Sequence, residues 1–205
     1  MAKIKLTKGE LKRQRDALKQ YERYLPTLQL KKQQLQIEII HQLAILEERK
    51  REEESKINAA KDWIGLLTAS DINISKWIIP KKTIVDTKNV AGIDLPIFNN
   101  VEFDLIDYDL FITPLWVDYA IEALRAIVYV RRGIHILEEG IKILREELHI
   151  TTQRVNLFEK IKIPQAKETI RIIKIYLGDQ MANAVGRSKM AKRKIEETVL
   201  AGAGV

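Results

Sequence analysis

Apolar residues recur at steps of three and four along both ends of this chain, and the pattern lapses only in the middle. From Leu11 the positions Leu18, Leu25, Leu28, Leu35, Ile39 and Leu46 fall on one helical stripe. In the C-terminal third Ile141, Leu144, Leu148, Val155 and Phe158 do the same. Stripes this narrow and this long are the seams of paired helices, so coiled-coil helices are expected over residues 1–68 and 116–200. At ~1.5 Å per residue, the second of these would extend roughly 120 Å.

Local signals set the expected ends and breaks. Thr7 is placed to cap the first helix, with Glu10 three residues later as in a capping box. Pro26 removes a backbone donor inside that helix, which predicts a local bend near Tyr24 and not two helices. The mixed-charge run from Glu47 to Glu54 supports an exposed helical face by pairs four residues apart. Beyond it Ile57, Ala60, Ile64 and Leu67 restore the stripe. In the C-terminal helix Pro164 interrupts the seam, and the apolar phase resumes shifted at Ala166, Ile170, Ile173 and Leu177. The closing run Ala201 to Val205 is small and predicted to be a disordered tail.

Residues 69–115 differ in character. β-Branched residues and turn formers gather there, with Ile78 to Pro80, Thr83 to Val85, Val90 to Ile93 and Leu95 to Phe98 as short strand candidates. A small inserted module with at least one β-hairpin is expected, acidic through Asp86, Asp94, Glu102, Asp104, Asp107 and Asp109. Trp63, Trp77 and Trp116 border it and are read as its core. The fold class is therefore mainly α, a long antiparallel two-helix coiled coil with a small inserted hairpin module. Antiparallel pairing brings both chain ends together as a basic tip, with Lys8, Lys12, Arg13 and Arg15 on one helix and Arg187, Lys189, Lys192 and Arg193 on the other.

Composition adds few constraints to this picture. Among 205 residues there are only 9 Gly and 5 Pro, 46% are hydrophobic and 31% charged, which suits long helices. The net charge of +7 fits a nucleic-acid binder, a membrane-surface protein or a subunit resting on acidic neighbours. The absence of Cys and of a secretory leader predicts an intracellular chain. No apolar run approaches the ~18 residues of a spanning helix, so direct membrane insertion is not expected.

No catalytic constellation is legible. His41, His135 and His149 lack partners at ligand spacing, Gly186-Arg187-Ser188-Lys189 lacks the spaced glycines of a phosphate loop, and neither a nucleophile elbow nor a carboxylate pair stands out. Neither enzymatic activity nor a cofactor or metal is expected.

Three blocks carry a resemblance. Arg154-Val155-Asn156-Leu157-Phe158-Glu159 through Ile163-Pro164 to Glu168-Thr169-Ile170-Arg171-Ile172-Ile173, the segment Asn89 to Pro96, and Leu30-Lys31-Lys32-Gln33-Gln34-Leu35 resemble the D subunit of the V-type and A-type rotary ATPases, in that family's order. Tyr24-Leu25-Pro26 and Tyr176-Leu177-Gly178 depart from the family pattern. The resemblance implies a central-stalk rotor subunit on the cytoplasmic side of a membrane-bound complex. It implies a basic tip inside a ring of catalytic A and non-catalytic B subunits, and a small F subunit of the stalk on the side of the coil. The far end would seat on a C/d-type subunit capping the membrane ring. Asn89, Gly92 and Pro96 would shape the hairpin, and Leu28, Leu35, Ile39, Leu144, Leu148, Val155 and Phe158 the seam. Two rivals use the same helices: a basic coiled coil binding nucleic acid, and an adaptor or chaperone holding unrelated clients. Against the first, aromatic residues are only 6% and gather at the middle module, away from the basic tip.

Overall fold

The computed structural model describes residues 5–69, 74–105 and 113–202. Helix α1 runs Lys8–Lys61, followed by short helices α2 (Gly65–Ala69) and α3 (Ser75–Ile78). Strands β1 (Pro80–Val90) and β2 (Ile93–Phe103) form an antiparallel hairpin. Helix α4 (Trp116–Asn156) passes through a π-helical segment, Leu157–Lys162, into α5 (Ile163–Gly202). Ile72, Asp107 and Asp109 lie outside the described residues, as do Ala203 to Val205 of the expected tail; α5 itself continues through Ala201 and Gly202.

The first helix begins as its sequence dictates. The Glu10 amide donates to Thr7 Oγ1 at 3.3 Å. The Glu10 carboxylate does not return to Thr7 but accepts from Gln14 Nε2 at 2.7 Å, so the box is closed on one side only. α1 stays one helix through Pro26, where the Thr27 hydroxyl donates to the Tyr24 carbonyl at 2.8 Å.

The chain packs as two compact units. One combines residues 30–151. There α1 and α4 run antiparallel: Lys31 pairs with Glu147 at 3.3 Å, Lys50 with Glu138 at 2.7 Å, and Glu53 with Arg131 at 2.7 Å, the α4 partner moving back as the α1 partner advances. Between these bridges Leu35 and Ile39 pack with Leu144, and Leu46 with Val130, Ile134 and Ile141. Leu35 and Leu144 are fully buried. Where the module joins the helices, Trp63, Trp77 and Trp116 close over Ile74, Val117, Ala120 and Ile121, which makes the three rings core, as expected. The other unit combines residues 1–29 with 152–205. Its helices meet through the Tyr21 and Phe158 rings, 5.4 Å apart, and through Lys167 and Glu22 at 3.2 Å.

Two one-residue slips in the apolar pattern explain the π-helical segment and one of the two register shifts of the hairpin. Along α4 the covered positions Val130, Ile134, Leu137, Ile141, Leu144, Leu148, Thr151, Val155 and Phe158 keep steps of four and three. The next covered position is Ile163, five residues on, while Lys162 is exposed. The helix absorbs the extra residue by widening: Ile163 N–H bonds the Phe158 carbonyl, five residues back. Pro164 favours the same solution, because it offers no N–H and its ring needs room beside the carbonyl four residues earlier. Ala166, Ile170, Ile173 and Leu177 then resume the rhythm on the same face.

The hairpin does likewise. Its strands are two of eleven residues in place of four short ones; Val90 to Ile93 is the turn and Ile78 belongs to α3. Register slips twice, between Pro80 and Lys82, where Lys81 is extra in β1, and between Ile84 and Val85, the second leaving Asn99 as an extra residue in β2. Pro96 and Phe98 face α4 before this bulge and Phe103 after it; without the extra residue the facing positions would continue at Asn100 and Glu102, which are exposed.

A deletion series tests the helical slip. Removing Lys162 is expected to leave the thermal midpoint, followed by circular dichroism, within a few degrees of the parent. Removing Gln153 from the regular stretch turns the downstream seam away from its partner and should lower the midpoint by ~10 °C or more.

Candidate partner-binding surfaces

The hairpin is laid along α4 and does not project from it. Pro96 touches the backbone position of Gly140, Phe98 packs on Gly133 and edge-on against Tyr129 at 4.8 Å, and the Arg125 guanidinium stacks over Phe103 at 4.9 Å. From Pro96 to Phe103 the strand advances about 23 Å at ~3.3 Å per residue, and from Gly140 to Arg125 the helix retreats about 22 Å at ~1.5 Å. Equal lengths keep these partners level. A Cβ on Gly133 would lie 3.3 Å from the Phe98 ring, so the absence of a side chain there is what lets ribbon and helix approach.

The turn at the tip is equally specified. Ala91 and Gly92 both have positive φ, 52° and 79°, as a two-residue turn between twisted strands requires. Asn89 fastens it, accepting from the Gly92 amide at 3.1 Å and donating to Asp94 at 2.7 Å. Val90, Ala91 and Ile93 then rest on the cluster of Leu35, Ile39, Leu95 and Leu144. At the other end Arg125 donates to the Trp77 carbonyl at 2.8 Å and the Asp104 carbonyl at 2.6 Å, joining α3, β2 and α4. Sequence reasoning passed over Arg125 and the glycine pair. The glycines were visible as two small residues seven apart in a helix of few glycines; the arginine left no signal.

Of the seam residues, Leu35, Ile39, Leu144 and Val155 are buried, and Leu28, Leu148 and Phe158 half-buried. The basic residues fall on outer surfaces. Lys8, Lys12, Arg13 and Arg15 are exposed on the opening turns of α1, and Arg187, Lys189, Lys192 and Arg193 are exposed on α5, where Lys192 reaches Glu196 at 3.8 Å. Both sets belong to the same unit. On α5 the last half-buried side chain is Leu177, and every residue from Gly178 to Thr198 is exposed, including Met181, Val185, Met190 and Ile195. Nearer the π-helical segment Glu168 and Arg171 form a two-pronged pair at 2.9 and 2.7 Å, and that guanidinium holds the carboxyl below its usual range.

Among the described residues no group of His, Cys, Asp or Glu could hold a metal ion. The family model for the D subunit of ATP synthase matches residues 10–193. This chain belongs to the ATP synthase D-subunit family. It is 44% identical to the V-type ATP synthase D subunit of Borreliella burgdorferi, over 95% of this chain and 96% of that one. It is 32% identical to the protein of the same name from Chlamydia pneumoniae, over 94% and 93%, and 32% identical to that from Chlamydia muridarum, over 96% and 98%. As a member of this family it is one component of a multi-subunit rotary ATPase.

Two measurements check this description. In the isolated chain the amides of residues 178–198 should exchange with solvent far faster than those of α4 between Ile134 and Thr151, since a helix without a packing partner is marginal in water. Gly133→Val should lift the hairpin from α4, read as faster proteolysis between residues 80 and 103 with helix content kept.

Proposed function

We propose that this chain is the central rotor shaft of a V/A-type rotary ATPase, coupling ATP hydrolysis or synthesis in the catalytic ring to ion translocation through the membrane ring. The chief support is the uncovered end of α5. Some twenty residues beyond Leu177 carry apolar and basic side chains that are all exposed among the described residues. An isolated helix of that length is barely stable, so its natural setting is inside another structure. On this reading the enclosing structure is the ring of catalytic A and non-catalytic B subunits. The small F subunit of the stalk docks on the side of the helix pair, and the cap subunit of the membrane ring receives the opposite end. The shaft works at the cytoplasmic face as a peripheral part of the complex; among the described residues no helix is long and apolar enough to cross a membrane.

The mechanism follows from asymmetry. A single pair of helices cannot present the same surface to three ring positions, so each shaft angle favours a different nucleotide state at each position. Linkage makes the coupling reciprocal: nucleotide changes in the ring alter the preferred angle, and imposed rotation alters nucleotide affinity. Exposed lysines and arginines orient the shaft against acidic sleeve surfaces without the deep wells of apolar contact, which would oppose turning. The shaft performs no chemistry of its own.

Reversing Arg13, Arg15, Lys189 and Arg193 together to Glu is the deciding experiment. Assembly with the A and B ring subunits, or the coupling of ATPase activity to ion movement, should fall about tenfold or more. Assembly and coupling both equal to the parent would refute the proposal.

A further inference from the structure

One of the two glycines in α4 has no explanation in the hairpin. At Gly133 an added Cβ would meet the Phe98 ring at 3.3 Å, but at Gly140 the nearest atoms are those of Pro96, at 3.9 and 4.0 Å, which is ordinary contact. Alanine would fit there and would suit the helix better. What the bare backbone at Gly140 does border is a cleft of about 290 Å³, lined by α1, by the hairpin and by Leu137 and Gly140 of α4.

The cleft is short and largely apolar. It reaches from His41 to Arg49 along α1, about 12 Å at ~1.5 Å per residue, and from Leu95 to Phe98 along β2, roughly 10 Å at ~3.3 Å. Ile45, Leu95, Phe98 and Leu137 supply apolar wall. This is the low end of the size range for small-molecule sites, enough for one slender molecule and too little for a helix or a two-chain lipid.

The charges around the cleft indicate what that molecule carries. No carboxylate lines it, whereas His41, Arg49 and Lys88 do. Two of these already stand near acids: Arg49 bonds Glu52 at 2.9 Å, and His41 lies 4.0 Å from Glu38. Lys88, which pairs with Leu95 across the hairpin, is exposed and has no carboxylate within ion-pair distance among the described residues. A free ammonium beside an apolar cleft suits an anion with a hydrocarbon body.

We propose that the cleft beside Gly140 binds a medium-chain fatty acid, with its carboxylate on the Lys88 ammonium and its chain laid between Ile45 and Leu137 toward Phe98. The site is independent of the rotor reading. It gives the bare backbone at Gly140 a purpose that the hairpin does not.

Calorimetric titration of the full chain with decanoate, kept below its micellar range, tests the site. A single equivalent should bind, and decylammonium, with the same chain and the opposite charge, should bind at least about tenfold more weakly. Lys88→Glu should weaken decanoate about tenfold or more, whereas Lys82→Glu, an equal change of charge on the same strand away from the cleft, should leave it unchanged. Gly140→Leu fills the cleft and should abolish binding. Circular dichroism checks that this variant keeps its fold, and Ile45→Trp fills the cleft from α1 if it does not. Failure of the parent to bind decanoate, equal binding of decylammonium, or parent-like binding by either Lys88→Glu or the filled variant would overturn the proposal. Equal weakening by Lys82→Glu would overturn it too, since it would reduce the binding to a general attraction of anions to a basic chain.

Discussion

Everything in this molecule depends on keeping a narrow apolar stripe turned toward its neighbour over dozens of residues. Hydrophobic contact tolerates no sustained drift: one residue too many rotates a helix stripe by about 100° and flips a strand to its other face. The chain contains both kinds of error and corrects each in place. In the C-terminal helix the extra residue is taken up by a π-helical segment that ends at Ile163. In β2 it is set aside at Asn99. Each correction keeps long-range burial at the expense of a few regular backbone bonds, which is the favourable exchange when a fully buried leucine such as Leu35 or Leu144 contributes ~1.5–3 kcal/mol.

The same logic accounts for Gly133 of α4. A glycine in a helix interior costs about 1 kcal/mol against alanine, and this helix carries two. At Gly133 the hairpin offsets this cost, because Phe98 comes so close that a side chain there would press on the ring, whereas a Cβ at Gly140 would meet Pro96 only in ordinary contact. The ribbon in turn covers one flank of the helix pair and is fastened at its base by Arg125 and at its tip by the cluster around Leu144. A two-stranded ribbon is marginal by itself, so this backing is what gives it a defined position.

Much of this was legible in the residues. The seam, the capped start at Thr7, the continuation of one helix past Pro26 and the hairpin all follow from periodicity and turn chemistry, which are local properties. The phase shift after Pro164 was also legible, though its form was not, because sequence spacing reports that a residue is surplus and leaves open how the backbone stores it. The docking of the hairpin was beyond reach for a related reason: the match between Phe98 and Gly133 joins positions 35 apart, and neither carries a pattern that points to the other. The cleft beside Gly140 is likewise a product of where the hairpin lies against the helices, and no periodicity encodes it.

The π-helical segment has one more effect. Because Leu157 to Lys162 set the azimuth at which α5 departs, they decide which compass direction Met181, Val185, Met190 and Ile195 will face. Shortening or lengthening this six-residue coupling would re-aim that whole exposed spindle without altering one of its side chains. The facing of that exposed stretch is thus stored earlier in the same helix.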